Sequence, residues 1–197
     1  NAYCSKVCCM YSLKLAHLVK EKLPDADVYE HYIDMRAFGK GYEEFYERIK
    51  NEGINIIRGR TASVESTNGE LIVRSEDVEN GRLLEQKVEM VILAVGLEPN
   101  NDAKELAAML KIPVDKYGWM NEIHKISNPV NTCKGGVAIA GLCQGPKDIP
   151  DTVAQASAAA LRVLQSILNG KISNGRSSLS FLDIEKRAKK LTTINDY

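Results

Sequence analysis

The chain has 197 residues, of which 44% are hydrophobic and 26% are charged, a composition typical of a globular protein rather than a disordered or fibrous one. Its 26 basic residues balance its 26 acidic ones, so the bulk charge favours neither nucleic acid nor an anionic membrane as a partner. The longest apolar runs fall far short of the about 20 residues that a membrane span requires. We therefore expect a soluble protein made of one domain or of parts of two.

Two further features bear on the setting of the protein: its first residues and its cysteines. The chain begins at Asn1 without an initiator Met or a signal segment, so we expect it to be part of a longer protein. Cys4, Cys8 and Cys9 lie close together, whereas Cys133 and Cys143 stand apart. An odd number of cysteines with an adjacent pair is a poor framework for disulfides, which favours the reducing cytoplasm.

The first part of the sequence predicts alternating helices and strands. Apolar positions at helical spacing predict a helix over Ser5–Leu23, and alternation with Val, Tyr and Ile predicts a strand over Asp27–Met35. An amphipathic pattern predicts a helix over Gly39–Glu52, ended by Gly53, and an apolar run predicts a strand over Ile54–Ile57. This order of elements is typical of an α/β fold.

A small antiparallel meander is predicted next. The short strands Thr61–Ser66, Leu71–Arg74 and Gln86–Val88 are separated by Asn68-Gly69 and Asn80-Gly81, dipeptides typical of hairpin turns. Beyond the meander, the elements predicted in chain order are a buried strand over Met90–Val95, a helix over Ala103–Leu110, a buried strand over Gly135–Ala140, a helix over Asp151–Leu168, a linker from Gly170 and a tail helix over Leu182–Lys190.

Three stretches of the sequence carry a resemblance to a known family: YCSKVCCMYSLKLA (Tyr3–Ala16), YIDMRAFGKGYEEFYERI (Tyr32–Ile49) and GLCQGPKDIPDTVAQASAAA (Gly141–Ala160). Together with VILAVGLEPN, GVAIAG and the order of elements, they resemble HdrA, the flavin and iron-sulfur subunit of heterodisulfide reductase in methanogens and related anaerobes. The resemblance covers about Tyr3–Lys171.

The resemblance implies an α/β fold of the Rossmann-like, thioredoxin reductase type that binds FAD or NAD(P), present here as a fragment. Residues 3–95 would form the later part of a pyridine-nucleotide-like domain that carries the cysteine motif. Residues 96–170 would form the C-terminal return segment of an FAD-binding domain, and residues 171–197 a linker and tail helix.

The same resemblance implies an oxidoreductase that works as part of a complex. It would pass electrons between FAD and a [4Fe-4S] cluster, in the best-known members with flavin-based electron bifurcation. Its partners would be other heterodisulfide reductase subunits and an electron-donating hydrogenase or dehydrogenase. The sequence contains neither the Gly-rich FAD fingerprint nor the ferredoxin-type cysteine motifs of the family, so we expect the isolated chain to be inactive.

The spacing of Cys4, Cys8 and Cys9 suits three ligands of a [4Fe-4S] cluster, because the start of a helix offers free N–H groups and a positive dipole end to an anionic cluster. The resemblance places the fourth ligand before Tyr3. On the residues alone, three buried thiols are an equal alternative, and zinc fits less well because its common sites use Cys-x-x-Cys or His ligands. The same side chains would block a pyrophosphate, so we expect no NAD(P)H here.

A second candidate site follows the predicted strand that ends at Gly141, where the flavoprotein class brings its backbone close to FAD. The N–H groups of Thr152, Val153 and Ala154 would face the flavin ring. The residues predicted to bind the cofactor are Gly141, Leu142, Cys143, Gln144, Lys147, Asp151, Thr152, Val153 and Ala154. The class carries an acid where this chain has Leu142, which leaves Lys147 or Asp148 as weak candidates for the ribityl contact. A plain strand-loop-helix is the alternative.

Lys14 is the candidate catalytic residue, as a hydrogen-bond donor to the flavin ring from the cysteine helix. The alternative is that Lys14 is a solvated surface lysine.

The remaining notable residues have structural interpretations: His17, His31 and His124 as scattered structural histidines, Tyr117 and Trp119 as residues that cover the core, and Cys133 as an incidental thiol. Two other functions stay open: a cofactor-free thiol redox module that uses Cys8 and Cys9, and a docking surface for other subunits.

Overall fold

The computed structural model describes residues 2–168. The chain divides into two compact units, the first ending at Leu97 and the second beginning at Glu98. The predicted linker from Gly170 and the predicted tail helix Leu182–Lys190 lie outside the described residues. Across the part that is described, no helix combines the length and the apolar character that crossing a membrane requires.

The first unit joins a parallel strand pair with two helices and an antiparallel sheet. Its elements are α1 (Cys8–Lys22), β1 (Tyr29–Tyr32), α2 (Tyr42–Lys50), β2 (Asn55–Arg58), β3 (Thr61–Thr67), β4 (Glu70–Asp77) and β5 (Arg82–Val88). β1 pairs in parallel with β2, from Tyr29 opposite Asn55 to Tyr32 opposite Arg58. All seven elements were predicted, and the α/β class is confirmed.

The core of this unit lies between the two helices and the parallel pair. Leu13 of α1 and Ile49 of α2 are 0% exposed, and they cluster with Ala16, Tyr46 and Ile54. In α1 the buried face is that of Leu13 and Ala16, whereas the apolar side chains of Leu15 and Leu18, which contributed to the predicted helical pattern, are exposed. This packing fixes α1, and with it the cysteines at its start, against the end of the β1 segment.

The antiparallel sheet has the strand order β3-β4-β5, with the predicted hairpin turn at Asn68-Gly69. Gly59, directly after β2, allows the parallel strand pair to approach the antiparallel sheet. A Cβ at this position would lie 1.8 Å from the backbone oxygen of Glu76 on β4. The Gly59 N–H also donates to Tyr32 O at 2.8 Å. A glycine is therefore required where the two sheets cross.

The predicted buried strand Met90–Val95 is wrong. The segment forms no strand, and the side chains of Met90, Ile92, Leu93 and Val95 are 68–75% exposed. A buried parallel strand needs hydrogen-bonded neighbours and cover on both faces. The described residues supply this segment with no partner strand, so an apolar run alone does not produce one.

The second unit contains α3 (Ala103–Leu110), a short 3-10 turn (Gly141–Cys143) and α4 (Ile149–Leu168). The first helix is as predicted, and the second begins two residues before the predicted Asp151. The predicted strand Gly135–Ala140 is wrong: Gly135 and Gly136 form a turn, and a single bridge joins Ala138 to Asn131. A Gly-Gly pair favours a turn over a strand, and the segment has no long partner among residues 2–168.

A small core supports this second unit. It consists of Ala107, Ile112, Met120 and Ile139, all nearly inaccessible. Trp119 is also buried, as predicted, and Tyr117 is half-buried. Ile139 immediately precedes the Ala140-Gly141 step, so this core anchors the loop that leads into α4.

Candidate functional site

The cysteine motif lies at the start of α1. Cys8 and Cys9 are in the first turn, and Val7 at the N-cap makes no side-chain capping bond. Cys4 lies in the preceding loop, where its Sγ accepts a hydrogen bond of 3.3 Å from the Lys6 N–H. Lys6 has φ of +61°, a left-handed conformation that is rare for a residue with a side chain. All five cysteines of the chain are free thiols.

The pKa of Cys9 depends on its surroundings in the motif. Burial is the main cause that raises the pKa of Cys9, and the neighbouring Cys8 and Cys4 raise it further, while a backbone hydrogen bond from Arg36 lowers it. Cys9 Sγ also lies 3.7 Å from Asp34 O, at the end of the β1 segment. A bound cation would relieve the repulsion between thiolates, and soft thiolates are the ligands that iron-sulfur clusters use.

The donor set therefore fits an iron-sulfur cluster in residue type. In residues 2–168, no three His, Cys, Asp or Glu side chains are already gathered as a metal site would gather them. Loading a cluster would thus draw the thiols of Cys4, Cys8 and Cys9 toward one point. That movement would act on the loop that carries Cys4 and on the first turn of α1.

Lys14 lies on the exposed side of α1, next to the fully buried Leu13. Each of the three histidines has a hydrogen-bond partner, which agrees with a structural role. His17 Nδ1 lies 2.5 Å from a carboxylate oxygen of Glu52. His31 Nε2 lies 3.0 Å from Gln86 Oε1, and His124 Nδ1 accepts bonds from the backbone N–H groups of residues 126 and 127.

In the second unit, the loop that begins at Gly141 is packed against α4. Gly141 has φ of +72°, and a Cβ there would lie 3.4 Å from Thr152 Cγ2. The Gly141 N–H donates to Gln155 Oε1 at 2.8 Å. This residue pair joins the first residue of the 3-10 turn to the second turn of α4, so the loop and the helix form one element.

Lys147 closes the same loop. Its ammonium donates to Gly141 O at 2.7 Å, to Gly145 O at 3.2 Å and to Gln144 Oε1 at 3.3 Å. Since an ammonium has three donors, these bonds occupy it fully. Lys147 holds the loop together in this structure, and a ribityl contact would require one of these bonds to break.

A network that the sequence did not reveal completes the loop. Gln144 Nε2 donates to Glu122 Oε2 at 2.8 Å and to Pro129 O at 3.2 Å. Gln155 Nε2 donates to Gln144 Oε1 and, at 3.2 Å, to Pro129 O. A glutamine in the alanine-rich part of α4 was the available signal for Gln155.

The start of α4 is capped by Asp148. Its Oδ1 accepts the Asp151 N–H at 2.8 Å, and its backbone oxygen accepts the Thr152 N–H at 3.0 Å. A flavin bond to the Thr152 N–H would therefore share a hydrogen that Asp148 already binds. The side chains of Leu142, Ile149 and Val153 are exposed and apolar, which suits contact with a flat ring. Cys143 and Ala154 are also exposed.

No protein-family model matches the chain. It is 49% identical over 174 residues to the HdrA subunit of the H(2)/formate:CoB-CoM heterodisulfide,ferredoxin reductase of Methanococcus maripaludis, covering 87% of this chain and 26% of that protein. It is 46% identical over 172 residues to the iron-sulfur HdrA subunit of the CoB-CoM heterodisulfide reductase of Methanocaldococcus jannaschii, covering 86% and 26%. The corresponding subunit of the ferredoxin:CoB-CoM heterodisulfide reductase of Methanosarcina acetivorans is 39% identical over 163 residues, covering 82% and 20%.

These relatives are named as subunits of heterodisulfide reductases, which are oxidoreductases, and the chain aligns with a segment of each. Over most of its length the chain is similar to a segment of the HdrA subunit, as an HdrA-like fragment, which confirms the resemblance carried by its three sequence stretches. It spans about a quarter of the length of the first two of these relatives.

Proposed function

We propose that this chain is an electron-transfer segment of an HdrA-like heterodisulfide reductase component, in which Cys4, Cys8 and Cys9 supply three ligands to a [4Fe-4S] cluster. One observation carries the proposal: three free thiols lie at the uncapped start of α1, in a chain whose Methanocaldococcus relative is named an iron-sulfur subunit. Free N–H groups and the positive end of the helix dipole favour an anionic cluster there.

The proposal extends to FAD in a Rossmann-like fold of the thioredoxin reductase type. Residues 3–95 would belong to its pyridine-nucleotide-like domain and residues 96–170 to its FAD-binding domain. The flavin would contact the apolar side chains of Leu142 and Val153, with Gly141 and the start of α4 beside it and Lys14 as a donor to the ring. A bound flavin takes up electrons in pairs and releases them singly, as bifurcation requires, while a cluster carries single electrons.

The remaining cofactor contacts of the proposal follow from the loop. Gln144 and Lys147 would act by holding the loop in shape, because their polar atoms bond within it. Asp151 would lie at the helix start, with its N–H bonded to Asp148. Cys143, Thr152 and Ala154 would line the flavin side of the same turn.

Partners and location are part of the same proposal. The names of the relatives mention H(2), formate and ferredoxin. For this chain we infer assembly with other heterodisulfide reductase subunits and with an electron-donating hydrogenase or dehydrogenase. The exposed apolar side chains of residues 90–95 support such contacts, and the five free thiols support a reducing cytoplasm.

The alternative of a thiol redox module has less support. Because the pKa of Cys9 is raised, a smaller fraction of it is the nucleophilic thiolate at neutral pH. Reactive thiols in redox proteins usually have a lowered pKa instead. A coordinating metal ion displaces the thiol proton, so the same environment is compatible with a ligand.

The test is an anaerobic preparation in which iron, acid-labile sulfide and flavin are quantified, with a small thiol added as a fourth ligand. We expect iron and sulfide in the unaltered chain and in a Cys133→Ser control, and their loss in Cys8→Ser. An iron-free unaltered chain would contradict the cluster. For the flavin, Val153→Glu should weaken FAD binding in a fluorescence titration, whereas Val64→Glu on the exposed meander should not.

A further inference from the structure

The end of the exposed segment 90–97 is held by side chains that lie next to the cysteines of the motif in sequence. Tyr11 donates its hydroxyl hydrogen to Val95 O at 2.7 Å, and Tyr3 donates to Leu97 O at 2.8 Å. The Leu97 N–H donates to Ser5 Oγ at 2.8 Å. Both backbone groups of Leu97 are thus bonded by side chains rather than by a strand.

We call Tyr3, Ser5 and Tyr11 the clamp. Its members alternate with the thiols along the chain: Tyr3 and Ser5 flank Cys4, and Tyr11 lies on the same helix as Cys8 and Cys9, within its first turn. The backbone that positions the thiols therefore also positions the clamp. Any movement that gathers the thiols acts directly on the bonds to residues 95–97.

The loop that carries two clamp members is tightly constrained. Ser5 is only 4% exposed, and its backbone oxygen accepts the Val7 N–H at 2.8 Å. Lys6 adopts the left-handed conformation, which for a residue with a side chain is strained and persists only where the surroundings impose it. The loop therefore has few alternative shapes, and its geometry is set by what Cys4 and Ser5 bind.

We propose that the clamp residues Tyr3, Ser5 and Tyr11 are positioning residues that couple cluster loading of the cysteine motif to the order of residues 95–97. Leu97 is the last residue of the first unit, so the clamp fixes the point at which the chain leaves it. This inference rests on the proposed function, because it takes the three thiols as cluster ligands.

The coupling is reciprocal. If loading stabilises the clamp, an intact clamp must raise the affinity for the cluster by the same factor. Couplings of this kind are typically about 5- to 150-fold. We expect an effect of about tenfold, within this range. The clamp thus provides two independent measurements: order at Leu97 and strength of iron binding.

The experiment measures amide hydrogen exchange at Leu97 in this 197-residue chain. The measurement is made before and after anaerobic reconstitution with iron, sulfide and a small thiol. Loading should slow exchange at Leu97 by about tenfold. Ser5→Ala should abolish this slowing and raise the sensitivity of bound iron to a chelator by about the same factor. Ser75→Ala is the matched control, because Ser75 is equally buried and its hydroxyl has no hydrogen-bond partner within the described part of the chain.

A second variant covers the case in which Ser5→Ala does not fold. Tyr11→Phe keeps the ring and removes only the bond to Val95 O, with Tyr29→Phe on β1 as its control. It should weaken both the slowing at Leu97 and the retention of iron. Iron that binds without slowing Leu97 exchange, or clamp variants that behave like their controls, would overturn the inference while leaving the cluster proposal intact. A chain that binds no iron would overturn both.

Discussion

Glu30 provides a stability test in the first unit. It lies on β1 opposite Ile56, and paired residues of neighbouring strands point to the same face. Ile56 packs against the core cluster beneath the two helices, and Glu30 Oε2 is buried without a hydrogen-bond partner among the described residues. Burial raises the pKa of Glu30 from its usual 4.5 to about 7. The perturbation is Glu30→Gln, which removes the charge and keeps the shape.

The direction in which pH changes the free energy of unfolding follows from the pKa of Glu30 in the folded chain and its pKa in the unfolded chain. Below about pH 4.5 the carboxyl is protonated in both the folded and the unfolded chain, so the charge costs no stability there. Between about pH 4.5 and about pH 7 the unfolded chain loses this proton while the folded chain still holds it, so the free energy of unfolding falls across this range and reaches its full loss above about pH 7. At about 1.4 kcal/mol per pKa unit, this difference in pKa would lower the free energy of unfolding by about 3.4 kcal/mol in full. Partial solvent access reduces our expectation to about 2 kcal/mol.

The assay is urea denaturation at about pH 5 and about pH 8. We expect Glu30→Gln to raise the free energy of unfolding by about 2 kcal/mol at the higher pH and by much less at the lower one. Glu89→Gln, at an exposed position after β5, serves as the control. An equal effect of Glu30→Gln at both pH values would show that ionisation of the buried Glu30 carboxyl does not lower stability.

Three other substitutions test the packing and the loop. Leu13→Ala removes a fully buried side chain and should lower the free energy of unfolding by about 2–5 kcal/mol in the same assay. Gly141→Ala places a side chain at positive φ against Thr152 and should lower the midpoint of thermal unfolding, with a loss of about 1–2 kcal/mol; an unchanged midpoint would contradict the loop geometry. Gln155→Leu leaves the Gly141 N–H without its acceptor and should cost about 1–3 kcal/mol and speed amide exchange at Gly141, whereas Gln165→Leu further along α4 should do neither.

Much of the fold was predictable because its signals are local. Apolar residues recur at helical spacing in α1 and again in α2, and Asn68-Gly69 marks the turn between β3 and β4, so each feature depends on residues close in sequence. The strands predicted at Met90–Val95 and Gly135–Ala140 failed for the opposite reason. An apolar run becomes a buried strand only beside partner strands, and the run itself carries no information about them.

The same distinction between local and distant signals applies to the candidate sites. The cysteine motif was visible because its three thiols are close in sequence. The bonds from Tyr3 and Tyr11 to residues 95–97 span 94 and 84 positions, and no local pattern announces a contact at such a separation. Ser5 and Gln155 were missed because each is an ordinary polar residue until its distant partner is known.

Iron-edge X-ray absorption can show whether Cys4, Cys8 and Cys9 are cluster ligands, because it reports the atoms bound to iron. The measurement compares the anaerobically reconstituted chain with its Cys8→Ser and Cys133→Ser variants. We predict an all-sulfur iron environment in the unaltered chain and in Cys133→Ser, with lost iron or an oxygen ligand in Cys8→Ser. Identical sulfur coordination in all three samples would contradict the assignment of the cysteine motif.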